Sequence, residues 1–341
     1  MNVALAPFRM AAEMAEQPAV LRRLVARRTG VHNQITHALP EGLAGVAFVG
    51  RGSSANAAMA ARVMIELATR KPVVMVSPSI DRLYGAHTDY FGHLAVGLSF
   101  SGHTPEVVST LLDLQDRGAA TIAITGDAES PLAEAAGLTI DLGTGPELAV
   151  PTTKGFTAEL AMLVILAETL GGTPLPHEAW AAVADVTQQV LEDAAATKEV
   201  ARDLAAAQHV SVVGAGTYLG IAHEIALKFE EAALLAASAH SSASYRHGPI
   251  AMASTAQPLV ALVGPGSAGA DTTQLAAEAA RNGAPVVTIG PSGTIPVPDG
   301  LPEWLASIPM AVRGQQLALA IATEKGLDPD QPPTLSKVTL T

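Results

Sequence analysis

The chain has 341 residues, of which 49% are hydrophobic, 15% charged and 4% aromatic, with a formal net charge of −12 and no cysteine. This length holds about two domains, each able to bury its own core. The absence of thiols excludes disulfide scaffolds, thiolate metal centres and cysteine nucleophiles, and the acidic balance argues against a nucleic-acid partner, so an anionic ligand has to be held by a local site.

The opening residues MNVALAPFRM lack the basic start and apolar run of a signal peptide, and apolar stretches such as 160–167 are too short to span a bilayer. A cytoplasmic protein with no membrane partner is expected. Residues 8–28 carry Met10, Met14, Leu21, Leu24 and Val25 at helical spacing, with Pro18 as a break or a second helix start. This segment is expected on the outside of the first domain or against a neighbouring subunit.

From Val46 the pattern becomes strand, glycine loop, helix: VAFVG, RGSSAN, AAMAARVMIELA. Further strands are expected at 72–76, 94–98, 121–125 and 138–142, and a very apolar helix at 156–170 closes the unit. Strands alternating with helices predict an α/β fold with a mainly parallel sheet covered on both faces. After a linker at 171–177 and a helical connection over 178–207, the pattern returns. VSVVGAGT at 210–217 matches VAFVGRGS at 46–53, and APVVTIG at 284–290 matches ATIAITG at 120–126, so both pairs share one shift of 164 residues, from 46 to 210 and from 120 to 284. LVALVGPGS at 259–267 follows the strand at 94–98 under the same shift, and together these point to a duplication. The expected organisation is an N-terminal helical segment (1–40), a first domain (41–171), a linker and connecting helix (172–207), a second domain (208–325) and a C-terminal tail (326–341).

Five places carry polar residues that folding of an apolar chain does not require. After the strand at 94–98 come Ser99, Ser101, Gly102 and Thr104, then Pro105 and Glu106 at the start of a helix whose apolar face is Val107, Val108, Leu111 and Leu112. With Thr104 as N-cap, hydroxyls and free N–H groups meet at the positive end of a helix and suit a phosphate, against the competing reading of an ordinary turn of small residues. The second half has Gly264, Pro265 and Gly266 there and would hold a phosphate poorly, so one ligand site per chain is expected. Gly50 to Ser54 form a glycine turn opening a helix, with Gly52, Ser53 and above all Ser54 as a second wall of the phosphate site; the third glycine of a dinucleotide fingerprint is missing. The turn from Val150 to Thr157 is either a helix cap or, through Thr152, a contact to a sugar. Glu224, Lys228 and Glu231 fall on one helix face, as a solvated ion ladder or as chemistry. His247 sits in YRHGP, as a loop residue or as an acid/base.

All five resemble one family at matching positions and in matching order, the sugar isomerase (SIS) domain family, most closely the isomerase half of glucosamine-6-phosphate synthase and the stand-alone glucosamine-6-phosphate deaminases. The resemblance rests on EMAEQP, GRGSSAN, SFSGHT, ELAVPTTKGFT, HEIALKFEEA, SYRHGP and LSKVTLT and covers nearly the whole chain. It implies two tandem SIS domains of flavodoxin-like or Rossmann-like type. It further implies that Ser54, Ser99, Ser101 and Thr104 bind the substrate phosphate with Phe100 donating through its backbone, and that Val150 and Thr152 line the sugar. Glu231 would move a proton between C1 and C2, His247 of a neighbouring subunit would open the ring, and Lys337 would contact the open-chain sugar and form an imine, with Glu224 and Lys228 in support. No metal or cofactor is implied. Two departures stand out: His103 replaces the family's glutamate in the serine loop, and Glu230 replaces a lysine beside the catalytic glutamate.

The chain begins almost at the isomerase-like region, so an enzyme without a glutamine-hydrolysing domain is expected. The favoured activity is deamination of glucosamine 6-phosphate to fructose 6-phosphate and ammonia, by a homodimer acting on a small sugar phosphate. The alternatives are a fructosamine-6-phosphate deglycase, another phosphosugar isomerase, or a non-catalytic sugar-phosphate sensor.

Overall fold

Residues 8–337 are described by a computed structural model; residues 1–7 and 338–341, the extremes of the expected N-terminal segment and C-terminal tail, and the side chains of Asp81 and Arg82 lie outside the description. The apolar runs of the first half become strands β1 (Gly45–Val49), β2 (Val73–Met75), β3 (His93–Leu98), β4 (Ala120–Thr125) and β5 (Leu138–Asp141). All pair in parallel, in the order β2-β1-β3-β4-β5. Every residue of β1 is buried, which is why GVAFV carries no charge. The helix Pro105–Asp116 lays Val107, Leu111 and Leu114 on Ala47, Val49 and Ala123 of this sheet.

The second half builds strands β6 (His209–Val213), β7 (Ala236–His240), β8 (Leu259–Leu262), β9 (Val286–Gly290) and β10 (Ile295–Pro296), all parallel, in the order β10-β9-β8-β6-β7. Taken from its other edge, this is the strand order of the first sheet. The shift of 164 extends to backbone conformation. Gly52 and Gly216 have φ +54° and +51°, and the helices Gly52–Thr69 and Tyr218–Ala233 both end on a left-handed non-glycine residue, Arg70 at φ +57° and Leu234 at φ +46°. Such residues are uncommon in that region, so a matched pair marks a repeated unit.

Contacts divide the chain into two compact units, one made of residues 8–22, 147–157 and 175–337 and the other of 23–146 and 158–174. They are not the two halves of the sequence: residues 8–22 of the N-terminal segment and residues 147–157 belong with the second sheet. Of the two readings of Pro18, the second helix start holds: the chain breaks at Glu16 between helices Arg9–Ala15 and Gln17–Ala38, with Pro18 in the first turn of the latter. The connection after the linker is two helices, His177–Glu192 and Ala195–Ala205. β7 and β10 were not legible beforehand, because AASAH and a two-residue strand carry no alternation. The final helix, Glu303–Glu324, runs through Pro309. Among the described residues no helix is long and apolar enough to cross a membrane.

Candidate functional site

In the unit of the first sheet, the chain leaves β3 at Leu98, and Ser99 N–H bonds back to Ile124 of β4 at 3.3 Å. Gly102 then turns the loop at φ +69°, where a Cβ would lie 2.0 Å from the Ser130 hydroxyl oxygen, so a side chain is excluded. Its N–H donates to the carbonyl of Ser99 at 3.0 Å and to Ser99 Oγ at 3.2 Å. Ser99 Oγ lies 3.3 Å from Thr104 Oγ1. Thr104 takes the N-cap position as expected, but its hydroxyl makes no capping bond and faces Ser99 instead. Ser101 Oγ accepts from the N–H of His103 at 3.2 Å, and His103 Nδ1 lies 2.6 Å from the Ser101 carbonyl, so His103 stiffens the loop. The N–H groups of Ser101 and Thr104 meet no protein acceptor among the described residues. Phe100 is fixed through its carbonyl, which accepts from Gly126 N–H at 2.9 Å. Three hydroxyls and two N–H groups thus gather at the positive end of a twelve-residue helix, where an anion is stabilised.

Two contacts at this cradle are not visible in the sequence. Glu106, in the first turn of the helix, would repel an anion, but Arg51 pairs with it at 2.6 Å. Ser54 is buried and donates its one hydroxyl proton to the buried carboxylate of Glu159 at 2.7 Å. A phosphate oxygen needs a donor, so the phosphate contact expected of Ser54 requires that hydroxyl to turn away from Glu159. Gly52 and half-buried Ser53 open the same helix, and Gly50 packs so closely that a Cβ there would sit 3.3 Å from the Leu98 carbonyl.

In the unit of the second sheet, the helix Tyr218–Ala233 carries Lys228 between two carboxylates, 3.3 Å from Glu224 and 2.5 Å from Glu231. Lys228 and Glu224 have only 1% of their side chains exposed and Glu231 has 20%. The solvated ion ladder is therefore ruled out: two of the three charges are inside. Burial alone would push the Lys228 ammonium down, but the two flanking carboxylates outweigh it and hold it well above its ordinary value. Glu231 is the member with access to a ligand. Glu230 lies beside it on the exposed side of the helix.

The same unit holds the turn 147–157. Glu147 accepts from Thr153 N–H at 2.8 Å and from Thr153 Oγ1 at 3.0 Å, so Thr153 takes the inward role and Thr152 remains half-exposed. Lys337 Nζ lies 3.3 Å from Glu147 Oε2 and 3.4 Å from Thr152 Oγ1, bringing together two residues that are 185 apart in sequence. Val150 is half-buried in this turn. The N-terminal helices grip it. Glu13 accepts from Leu148 N–H at 2.5 Å and Ala149 N–H at 3.2 Å, Glu16 pairs with buried Lys154 at 2.6 Å, and Gln17 accepts from Thr157 Oγ1 at 2.9 Å. Burial pushes the Glu13 carboxyl up, a shift that the two backbone donors oppose and the nearby Glu147 charge reinforces. This is the physical content of the EMAEQP and ELAVPTTKGFT motifs. Both were visible in the sequence, but nothing in their spacing says that they meet.

His247 is exposed at the end of the short helix Ser242–Arg246. Its neighbour Arg246 is pinned by Asp271 at 3.1 Å and Glu278 at 2.8 Å, which fixes the turn that presents the imidazole.

A family model for the SIS domain matches residues 45–169 and 203–298, covering most of both sheets. The chain belongs to the SIS domain family. Among its relatives is a glutamine–fructose-6-phosphate aminotransferase [isomerizing] of Symbiobacterium thermophilum, 30% identical over 362 residues that cover 96% of this chain and 58% of that protein. The chain thus spans under two thirds of the curated relatives it matches. Of solved structures, a glucosamine-6-phosphate deaminase from Thermotoga maritima aligns with a TM-score of 0.80 at 24% identity, covering 98% of each chain. A tagatose-6-phosphate ketose/aldose isomerase from Escherichia coli aligns with a TM-score of 0.80 at 21% identity, covering 96% of each. At these identities the two structures establish the tandem SIS fold of this protein.

Proposed function

We propose that this SIS protein is a phosphosugar isomerase that acts as a glucosamine-6-phosphate deaminase. The observation that carries the reading is the buried Lys228 holding Glu231 at 2.5 Å. Taking two opposite charges out of water does not favour folding over an apolar packing, and what it provides here is a carboxylate of fixed position with access from outside. Such a group can lift a proton from C2 of an open-chain sugar and deliver it to C1. His247, supplied by the second subunit of a homodimer, opens the hemiacetal. The serine loop binds the phosphate and orients the chain of carbons. The proton shift turns the 2-amino aldose into a ketimine. Lys337 displaces ammonia from C2 to form its own imine, and water then releases fructose 6-phosphate and the free amine. The relatives named for fructose-6-phosphate amination and the deaminase of like fold support this reading.

The test is an assay of purified protein with glucosamine 6-phosphate, reading ammonia and fructose 6-phosphate separately. Equal amounts of both are expected. Neither product appearing would remove the deaminase, and ketose formation from other aldose phosphates without ammonia would replace it with a simple isomerase. Binding of glucosamine 6-phosphate without turnover, unchanged in a Glu231→Gln protein, would favour a sensor. Sedimentation of an active monomer would remove the shared His247.

A further inference from the structure

The two oxygens of Glu147 face different partners. Oε1 accepts from Thr153 N–H at 2.8 Å, Thr153 Oγ1 at 3.0 Å and Gly155 N–H at 3.4 Å, and these bonds fix the turn. Oε2 accepts from Lys337 Nζ at 3.3 Å. The Glu147 side chain is fully buried, whereas 21% of the Lys337 side chain is exposed, so the amine is the accessible end of the pair. The carboxylate cannot drift, because Glu13 ties down Leu148 and Ala149 immediately after it. Anchoring the turn uses one oxygen. The second is spent on a lysine whose flexible stem carries about 2 kcal/mol of rotamer entropy when free.

We infer that Glu147 is a positioning residue for Lys337: it holds Nζ beside Thr152 so that the amine meets the carbonyl carbon of an open-chain sugar in one orientation. The inference rests on the imine proposed for Lys337. Glu147→Gln separates the two roles of the carboxylate. Three donors from the turn require an acceptor, which keeps the amide oxygen at the Oε1 position and turns the NH2 group towards Lys337, donor against donor.

Fructose 6-phosphate and cyanoborohydride provide the test. Neutral Nζ adds to the C2 carbonyl, water leaves, and hydride from the reagent with a proton from water reduces the C=N bond to a stable secondary amine, located by peptide mass. At saturating sugar, Glu147→Gln is expected to slow adduct formation at Lys337 at least about tenfold, the scale of a misplaced reacting group, while fructose 6-phosphate affinity by calorimetry stays within about twofold. A merely structural role would change affinity and thermal midpoint together. An unchanged adduct rate overturns the inference. A second measurement does not depend on the sugar: reductive methylation by formaldehyde, comparing Lys337 with exposed Lys71 and Lys198 as internal references. Lys337 is expected to react more slowly than the references in the wild type and to gain about fivefold in the variant, the cost of immobilising one long side chain. No gain overturns the contact. A wild-type protein that forms no adduct removes the imine, and with it the reaction Lys337 is positioned for, whatever methylation shows of the contact.

Discussion

The glycine loop and following helix occur twice, and the two copies have exchanged roles. Under the shift of 164, Ser54 corresponds to Tyr218, and Ala60, Met64 and Leu67 correspond to Glu224, Lys228 and Glu231. In the first copy the helix packs through Met64, fully buried, and the loop after β3 stays open with its hydroxyls presented. In the second copy the ring of Tyr218 fills the matching space, its hydroxyl donating to the Pro265 carbonyl at 2.9 Å, and a Cβ on Gly264 would lie 2.4 Å from that ring. Glu303 stands at the start of the helix Gly266–Arg281, where a Cβ on Gly266 would be 2.1 Å from its carboxylate. One copy kept a place for an anion and the other sealed it with an aromatic ring and a resident carboxylate. At these three positions the charged side chains appear only on the helix of the sealed copy. Duplication supplied one scaffold twice, and on the proposed function a few first-turn and buried-face positions divide binding from proton chemistry.

Exchanging those positions tests the division. Lys228→Met imports the Met64 of the first copy and leaves Glu224 buried without its cation, so a loss of about 3–5 kcal/mol is expected in urea unfolding. Glu224→Ala combined with Lys228→Met and Glu231→Leu should recover most of that stability while activity stays absent. Ser54→Tyr imports the plug of the second copy into the open cradle. Affinity for glucosamine 6-phosphate by calorimetry should fall about 100-fold or more, with the far-ultraviolet dichroism of the fold retained. Binding at wild-type strength would show that the cradle is not the phosphate site. Tyr218→Phe removes one buried hydrogen bond and should cost about 1 kcal/mol in stability without changing sugar-phosphate affinity.

The smallest effect concerns pH. Burial raises the Glu303 carboxyl, with the Thr217 hydroxyl opposing the shift. The folded protein therefore holds this proton more tightly than the unfolded chain does. Its contribution to stability is complete below the ordinary carboxylate pKa and is lost as pH rises through the raised folded value. Glu303→Gln should flatten that part of the stability profile measured between pH 4 and neutrality. A steeper decline in the variant would contradict the assignment.

Much of this division could be read from residues in a row. Continuous apolar runs such as GVAFV and LAVGL marked strands buried on both faces, and the serine loop with Pro105 and Glu106 marked a helix start open to an anion, because strand burial and helix capping are local properties. The duplication also left a constant shift. Three things did not show. AASAH has no alternation, so β7 emerged only from pairing. Ser54 reads as a phosphate donor until Glu159 is seen to take its proton. Glu147 and Glu13 are ordinary acidic residues in the chain, and their burial against a turn and a lysine depends on contacts across more than a hundred residues, where no periodicity reaches.

Those distant contacts also bear on folding kinetics. The bonds that set the turn bearing Thr152 join residues 135, 138 and 140 apart, and the bond to Lys337 spans 190. Each sheet can assemble from neighbours close in sequence, whereas this turn must wait for the N-terminal helices and the C-terminal tail to arrive, because long-range closure is slow and entropically costly. Native-state hydrogen exchange at Leu148 should then report a partial opening at a lower free energy than the strands show, so the segment that carries the amine's anchor completes folding last and is the first to let go.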